Sequence, residues 1–144
     1  MQKPKPINFF VVDDESSFIR IEKKIINKVK DDFNNENVIF NINTFTNFES
    51  AKEGINNSVD IALLDYHIVD KNNNGITSET ILEGLKTINE DIHVIMLTGE
   101  NNPEIVKRLK NKGASFFISK SPKTIIRIIP TIKSIVRKII KAST

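Results

Sequence analysis

Five side chains in this sequence have the types and spacing for shared chemistry: Asp13, Asp14, Asp65, Thr98 and Lys120. Each stands at the end of an apolar run. Phe9 to Val12 precedes Asp13, Ile61 to Leu64 precedes Asp65, Val94 to Leu97 precedes Thr98, and Phe116 to Ile118 lies just ahead of Lys120. Taken singly, each has an ordinary reading as a helix cap, a turn residue or plain surface. Brought to one edge, they ask for more. Three carboxylates within ~5 Å repel by roughly 3 kcal/mol per pair at an effective dielectric of about 20. One lysine offsets only part of that. An oxygen-bound divalent cation would offset the rest, and a small carboxylate site completed by water suits Mg2+. With Lys120 opposite, such a pocket would stabilise the equatorial oxygens of a transferring phosphoryl group. Asp65 is then an available nucleophile for an acyl phosphate, and Thr98 is placed to hydrogen-bond a phosphoryl oxygen.

These residues can meet only if the runs are neighbouring strands pointing the same way. A short apolar run that stops on a carboxylate, as Val59 to Asp65 does, suits a strand buried on both faces of a parallel sheet. The first strand is expected over Ile7–Val12. A helix follows, capped by Ser16 or Ser17, with Phe18, Ile21, Ile25, Ile26 and Val29 at helical spacing. Val38–Phe45 reads as a strand nearer an edge, 47–55 as a short helix, and 68–75 as a long polar loop turning at Asn74-Gly75. Then come a helix over 78–88, a strand over 92–97, and a helix opened by Pro103 and stopped by Gly113. A strand over 114–119 precedes a last helix opened by Ser121-Pro122, which Pro130 is expected to kink or divide. The alternation βαβαβαβαβα predicts an α/β fold: a doubly wound five-stranded parallel sheet with helices on both faces. Strand order 2-1-3-4-5, as in flavodoxin-like folds, sets the ends of strands 1, 3, 4 and 5 around one crevice.

The chain has 144 residues, which fits a single domain with a core sufficient to fold unaided. We expect a tail at 1–6, a core over about 7–129 and a helical extension at 130–144. The absence of cysteine excludes disulfides, thiolate metal sites and cysteine nucleophiles. No apolar run has the length of a membrane span, and the first residues lack the apolar segment of a signal peptide, so a cytoplasmic protein is expected. A formal charge of +3 is too mild to argue nucleic-acid binding, and no direct nucleic-acid contact is expected. Lys133, Arg137, Lys138 and Lys141 make the end of the last helix basic. Part of the apolar stripe beyond Pro130 is a candidate dimer or partner surface.

The set Asp13-Asp14, Asp65, Thr98 and Lys120 resembles the receiver domain of bacterial two-component response regulators, and the resemblance covers nearly the whole chain. It implies a (βα)5 flavodoxin-like receiver fold with Asp65 as phosphoacceptor. Mg2+ would be held by Asp13, Asp14, Asp65 and the backbone carbonyl of His67, with Asp14 rather than Asp13 as the direct ligand of the pair. Thr98 matches the switch hydroxyl, Lys120 the phosphate-pairing lysine and Phe117 the switch aromatic. The resemblance further implies a sensor histidine kinase or phosphotransfer protein as donor and a downstream protein as reader. With no output domain in the sequence, a stand-alone receiver is expected, one that accepts a phosphoryl group without being an enzyme in the ordinary sense.

Three features depart from the family pattern. Ser121 separates Lys120 from Pro122, so the bond after the lysine has no proline to favour cis. The loop over 68–75 is long and asparagine-rich where a short Pro-Gly turn is usual, and Gly99 holds the small-residue position after Thr98. His67 and Glu100, two residues past Asp65 and Thr98, flank the pocket at positions expected to set phosphoryl lifetime. Two other readings compete: a receiver-like interaction module indifferent to phosphate, and an Asp-nucleophile phosphatase of the haloacid-dehalogenase type. The phosphatase fits poorly, because its Asp-x-Asp motif belongs on the first strand and His67 fills the third position here. A flavodoxin-type cofactor protein shares the topology, but no Ser/Thr/Gly-rich phosphate loop follows strand 1 here.

Overall fold

The computed structural model describes residues 2–70, 75, 77–99, 102–121 and 123–143. Ten elements alternate along them: β1 (Lys5–Val12), α1 (Ser16–Asp31), β2 (Val38–Phe45), α2 (Phe48–Gly54), β3 (Ile61–Asp65), α3 (Ser78–Ile88), β4 (His93–Thr98), α4 (Pro103–Asn111), β5 (Phe116–Ser119) and α5 (Thr124–Ala142). The strands pair in parallel in the order β2-β1-β3-β4-β5. The expected fold class and strand order are therefore observed.

Strand periodicity sorts the core into two layers. Ile7, Phe9 and Val11 of β1, Ile61 and Leu63 of β3, Ile95 and Leu97 of β4 and Ile118 of β5 face α1 and α5. Their alternates Phe10, Val12, Ala62, Leu64, Val94 and Met96 face α2, α3 and α4. β3 is buried along its whole length, as its unbroken apolar run requires. β2 alternates between half-buried and exposed, as an edge strand should.

Several local expectations are corrected. Glu15, not Ser16 or Ser17, is the N-cap of α1, and no side chain caps it. The buried stripe of α1 is Ile19, Glu22, Ile25, Ile26 and Val29, which leaves Ile21 exposed. β1 begins at Lys5 because β2 continues alongside it as far as Val38. β3 begins at Ile61 and β5 at Phe116, later than the apolar runs suggested. α5 continues unbroken through Pro130. Ile132, Ile135 and Val136 beyond it are fully buried on the sheet, so that much of the stripe belongs to the core, while Ile139 and Ile140 are half-buried at its end. Packing of that stripe outweighs the single hydrogen bond a proline removes.

The loop after β3 is fastened at its described ends. Thr77 donates to the Ile68 carbonyl through both its N–H (2.8 Å) and its hydroxyl (2.9 Å). Ser78 Oγ donates to the Tyr66 carbonyl at 2.7 Å. The expected Asn74-Gly75 turn, Glu100 and Pro122 fall on residues outside those described, apart from Gly75.

Candidate functional site

The parallel sheet carries the ends of β1, β3, β4 and β5 to one edge, and Asp13, Asp14, Asp65, Thr98 and Lys120 arrive there together. Asp13 is fully buried, Asp65 and Thr98 are nearly so, and Asp14 is exposed. One carboxylate oxygen from each of Asp13, Asp14 and Asp65 lies within 4.8 Å of the others, the only such cluster among the described residues. Local chain geometry holds two of them. Asp13 Oδ1 accepts the Glu15 N–H at 2.9 Å, and Asp65 Oδ1 accepts the His67 N–H at 3.1 Å. The remaining oxygens turn toward Lys120, whose Nζ is 2.9 Å from Asp13 Oδ2, 3.4 Å from Asp65 Oδ2 and 3.5 Å from Glu15 Oε1.

One ammonium therefore serves several carboxylates. Burial works against its charge, but Asp13, Asp65 and Glu15 outweigh burial and hold Lys120 above the ordinary lysine range. Burial pushes the Asp13 carboxyl up, against the Glu15 N–H and Lys120, which pull it down; the Asp65 charge adds to the rise. Asp13 Oδ2 is buried and accepts no well-formed hydrogen bond beyond that ion pair. Hard oxygen donors in negative excess, with one buried oxygen unsatisfied, fit a small divalent cation such as Mg2+.

The other expected residues sit as follows. The backbone N–H of Lys120 donates to the Thr98 carbonyl at 3.0 Å, which ties the end of β5 to the end of β4. Among the described residues, a Cβ on Gly99 would meet nothing within 4 Å. Phe117 is half-buried on the opposite layer from Lys120's neighbours, with Lys110 Nζ 5.8 Å from its ring centroid. The His67 side chain is exposed, its ring edge-on to Tyr66. No cis peptide occurs among the described residues, so the Lys120–Ser121 bond is trans.

Three participants were missed in the sequence. Glu15 helps hold Lys120, and the Phe18 ring lies 4.5 Å from Lys120 Nζ in cation–π contact. The third is Glu22, one helical turn beyond Phe18. It is fully buried, and neither carboxyl oxygen has a hydrogen-bond partner among the described residues. Burial, followed by the nearby charges of Asp13 and Asp65 and only partly countered by Lys120, pushes its pKa up to about 9. The signal was available: a glutamate in register with Ile19, Ile26 and Val29 on the apolar stripe of α1.

The sequence profile described as response regulator receiver domain matches residues 9–129. The chain belongs to this receiver-domain family. Solved receiver domains share its fold. The signal receiver domain of a DNA-binding response regulator (merR) from Colwellia psychrerythraea 34H is 20% identical, with a TM-score of 0.73 over 91% of this chain and 98% of that one. A CheY-like receiver from Methanospirillum hungatei JF-1 is also 20% identical, with a TM-score of 0.74 over 99% and 100%. A chain of the CheX–CheY–BeF3–Mg2+ complex from Borrelia burgdorferi is 22% identical, with a TM-score of 0.70 over 92% and 90%. No curated protein matches the sequence. Among the described residues of this receiver domain, no helix is long and apolar enough to cross a membrane.

Proposed function

We propose that this receiver domain is switched by phosphorylation of Asp65. The observation that carries the proposal is the position of Asp65: at the end of the fully buried central strand, with Lys120 at 3.4 Å and two further carboxylates beside it. An Asp65 carboxylate oxygen attacks the phosphorus of a phosphohistidine on a sensor kinase or phosphotransfer protein. The P–N bond breaks, the imidazole leaves with its electron pair, and Asp65 becomes an acyl phosphate. Asp13, Asp14, Asp65 and the His67 carbonyl would hold Mg2+, which when bound supplies positive charge against the phosphoryl oxygens.

The chain's own groups do the remaining work. Lys120 already spans Asp13 and Asp65, so its ammonium needs little movement to pair with a phosphoryl oxygen in place of Asp65 Oδ2. The Thr98 hydroxyl donates to another of those oxygens. Thr98 and Lys120 are joined through the backbone, so drawing Thr98 inward also moves the end of β5, where Phe117 repacks. A downstream protein reads the altered α4–β5–α5 face. His67, with its exposed ring beside the acceptor, governs water access and so the phosphoryl lifetime.

Labelling with radioactive acetyl phosphate and Mg2+ tests the reading. The protein labels, Asp65→Asn does not, and chelation of the metal abolishes the signal. Undiminished labelling of Asp65→Asn refutes the assignment, and a wild-type protein that never labels supports an interaction module indifferent to phosphate.

A further inference from the structure

The net charge of the chain conceals how the fold distributes it. α1 and α5 lie side by side on one face of the sheet. α1 carries Arg20, Lys23, Lys24, Lys28 and Lys30. α5 carries Arg127, Lys133, Arg137, Lys138 and Lys141, with no acidic residue. Within the two helices these ten cations stand against Asp31 and the buried Glu22, with Asp32 just past the end of α1. Two helices thus hold a formal +8 in a chain of net +3, which leaves the remainder at −5.

The cations on this face are also largely unspent. Elsewhere Arg108 and Lys112 of the α4 side are paired with Glu79 and Glu83, and Lys86 donates to the Glu90 and Ile92 carbonyls. Here Lys133 pairs with Asp32. Arg20, Lys23, Lys24, Lys28, Arg127 and Lys138 form no ion pair among the described residues. All six are exposed.

The composition of the outer surface selects the partner. A helix that lies in a membrane interface needs a broad free apolar face. α1 and α5 spend theirs on the sheet, leaving Ile21 and Ile126 as the exposed large apolar residues on the pair among the described side chains. Single-stranded nucleic acid calls for exposed aromatic rings on which bases stack. The aromatics nearest this face are Phe33, buried beneath Arg137, and Phe18, half-buried against Lys120. What is left is a field of exposed cations about 21 Å long, taking 1.5 Å per residue from Arg127 to Lys141 of α5.

We propose that the α1–α5 surface binds the phosphate backbone of duplex nucleic acid without sequence preference. The expectation of no nucleic-acid contact rested on total charge, whereas counterion release depends on the cations gathered at one surface. Neutralising about five or six phosphates gives a slope of about −5 in log affinity against log salt, or roughly a 10³-fold loss between about 50 and 200 mM KCl.

The test is fluorescence anisotropy of a labelled duplex of arbitrary sequence across that salt range. Lys23→Glu/Lys24→Glu/Lys28→Glu on α1 and Arg127→Glu/Lys138→Glu on α5 should each weaken binding at least tenfold and flatten the slope, with circular dichroism unchanged. Lys107→Glu, on exposed α4, should leave affinity within about twofold. The proposal falls if no saturable binding occurs at the lowest salt. It also falls if Lys107→Glu matches the face variants, or if phosphatidylserine vesicles or single-stranded DNA bind more tightly than the duplex.

Discussion

Glu22→Gln is the substitution whose outcome follows most directly from the packing. The carboxyl is fully buried with both oxygens unpartnered among the described residues, and burial pushes its pKa from the ordinary carboxylate range up to about 9. The native state therefore keeps this proton through a pH range in which the unfolded chain releases it. A group raised in this way stabilises the fold most below its unfolded pKa, and the stabilisation is lost as pH climbs to the folded value. At about 1.4 kcal/mol per unit, the loss is about 3 kcal/mol by pH 7 and about 6 kcal/mol by pH 9. Glutamine has nearly the same shape and does not titrate, so its fixed burial penalty is the same at every pH. The assay is urea unfolding of both proteins at pH 5 and pH 8. The stability difference between them should move by about 4 kcal/mol in favour of glutamine as pH rises, on the order of 13 °C in melting temperature for a chain of this length. A difference that stays constant within about 0.5 kcal/mol, roughly the additivity error of such comparisons, would refute a buried neutral acid.

Other substitutions separate the site from the scaffold. Lys120→Met keeps the side-chain bulk but leaves Asp13 buried without its cation. It should cost about 2–3 kcal/mol in urea unfolding, part of which returns on adding Mg2+. Ile132→Ala should lose about 2–5 kcal/mol because its side chain is fully buried beyond Pro130, whereas Ile126→Ala, 73% exposed, should change stability by less than about 0.5 kcal/mol. Gly113, at φ 107, should not accept alanine without a loss of about 1 kcal/mol or more in thermal melts. His67→Ala, followed by loss of radiolabel from Asp65, should alter phosphoryl lifetime; an unchanged rate rules out the ring's influence on water access.

The strands that build the pocket were legible because a doubly covered parallel strand needs an uninterrupted apolar run, and each run ended on a polar group. Those ends, taken in strand order, bring Asp13, Asp14, Asp65, Thr98 and Lys120 to one edge from sequence alone. What stayed hidden depended on packing between distant segments. Glu22 reads locally as one more charge on a lysine-rich helix, and only the orientation of α1 turns it inward. The cap at Glu15 escaped because its backbone carbonyl, which no side-chain type announces, accepts the Phe18 and Ile19 N–H groups and starts the helix ahead of both serines. Pro130 signalled a break that buried isoleucines on both sides of it prevent. The charge asymmetry was invisible in the total, since it arises only when two helices far apart in sequence become neighbours.

The two sides of the acid pocket differ in how firmly they are anchored. Asp65 rides on β3, hydrogen-bonded on both sides by β1 and β4. Lys120 follows β5, a four-residue strand with a neighbour on one side only. Opening β5 breaks a single ladder, while opening β3 breaks two and the core with them, so local unfolding free energies should rise steeply across about 10 Å of sheet. Amide hydrogen exchange should therefore proceed through brief detachments of β5 at Phe116 to Ser119, with Leu63 and Leu64 exchanging only on global unfolding. Asp65 keeps its place while Lys120 can lift away, a division suited to the switch proposed above.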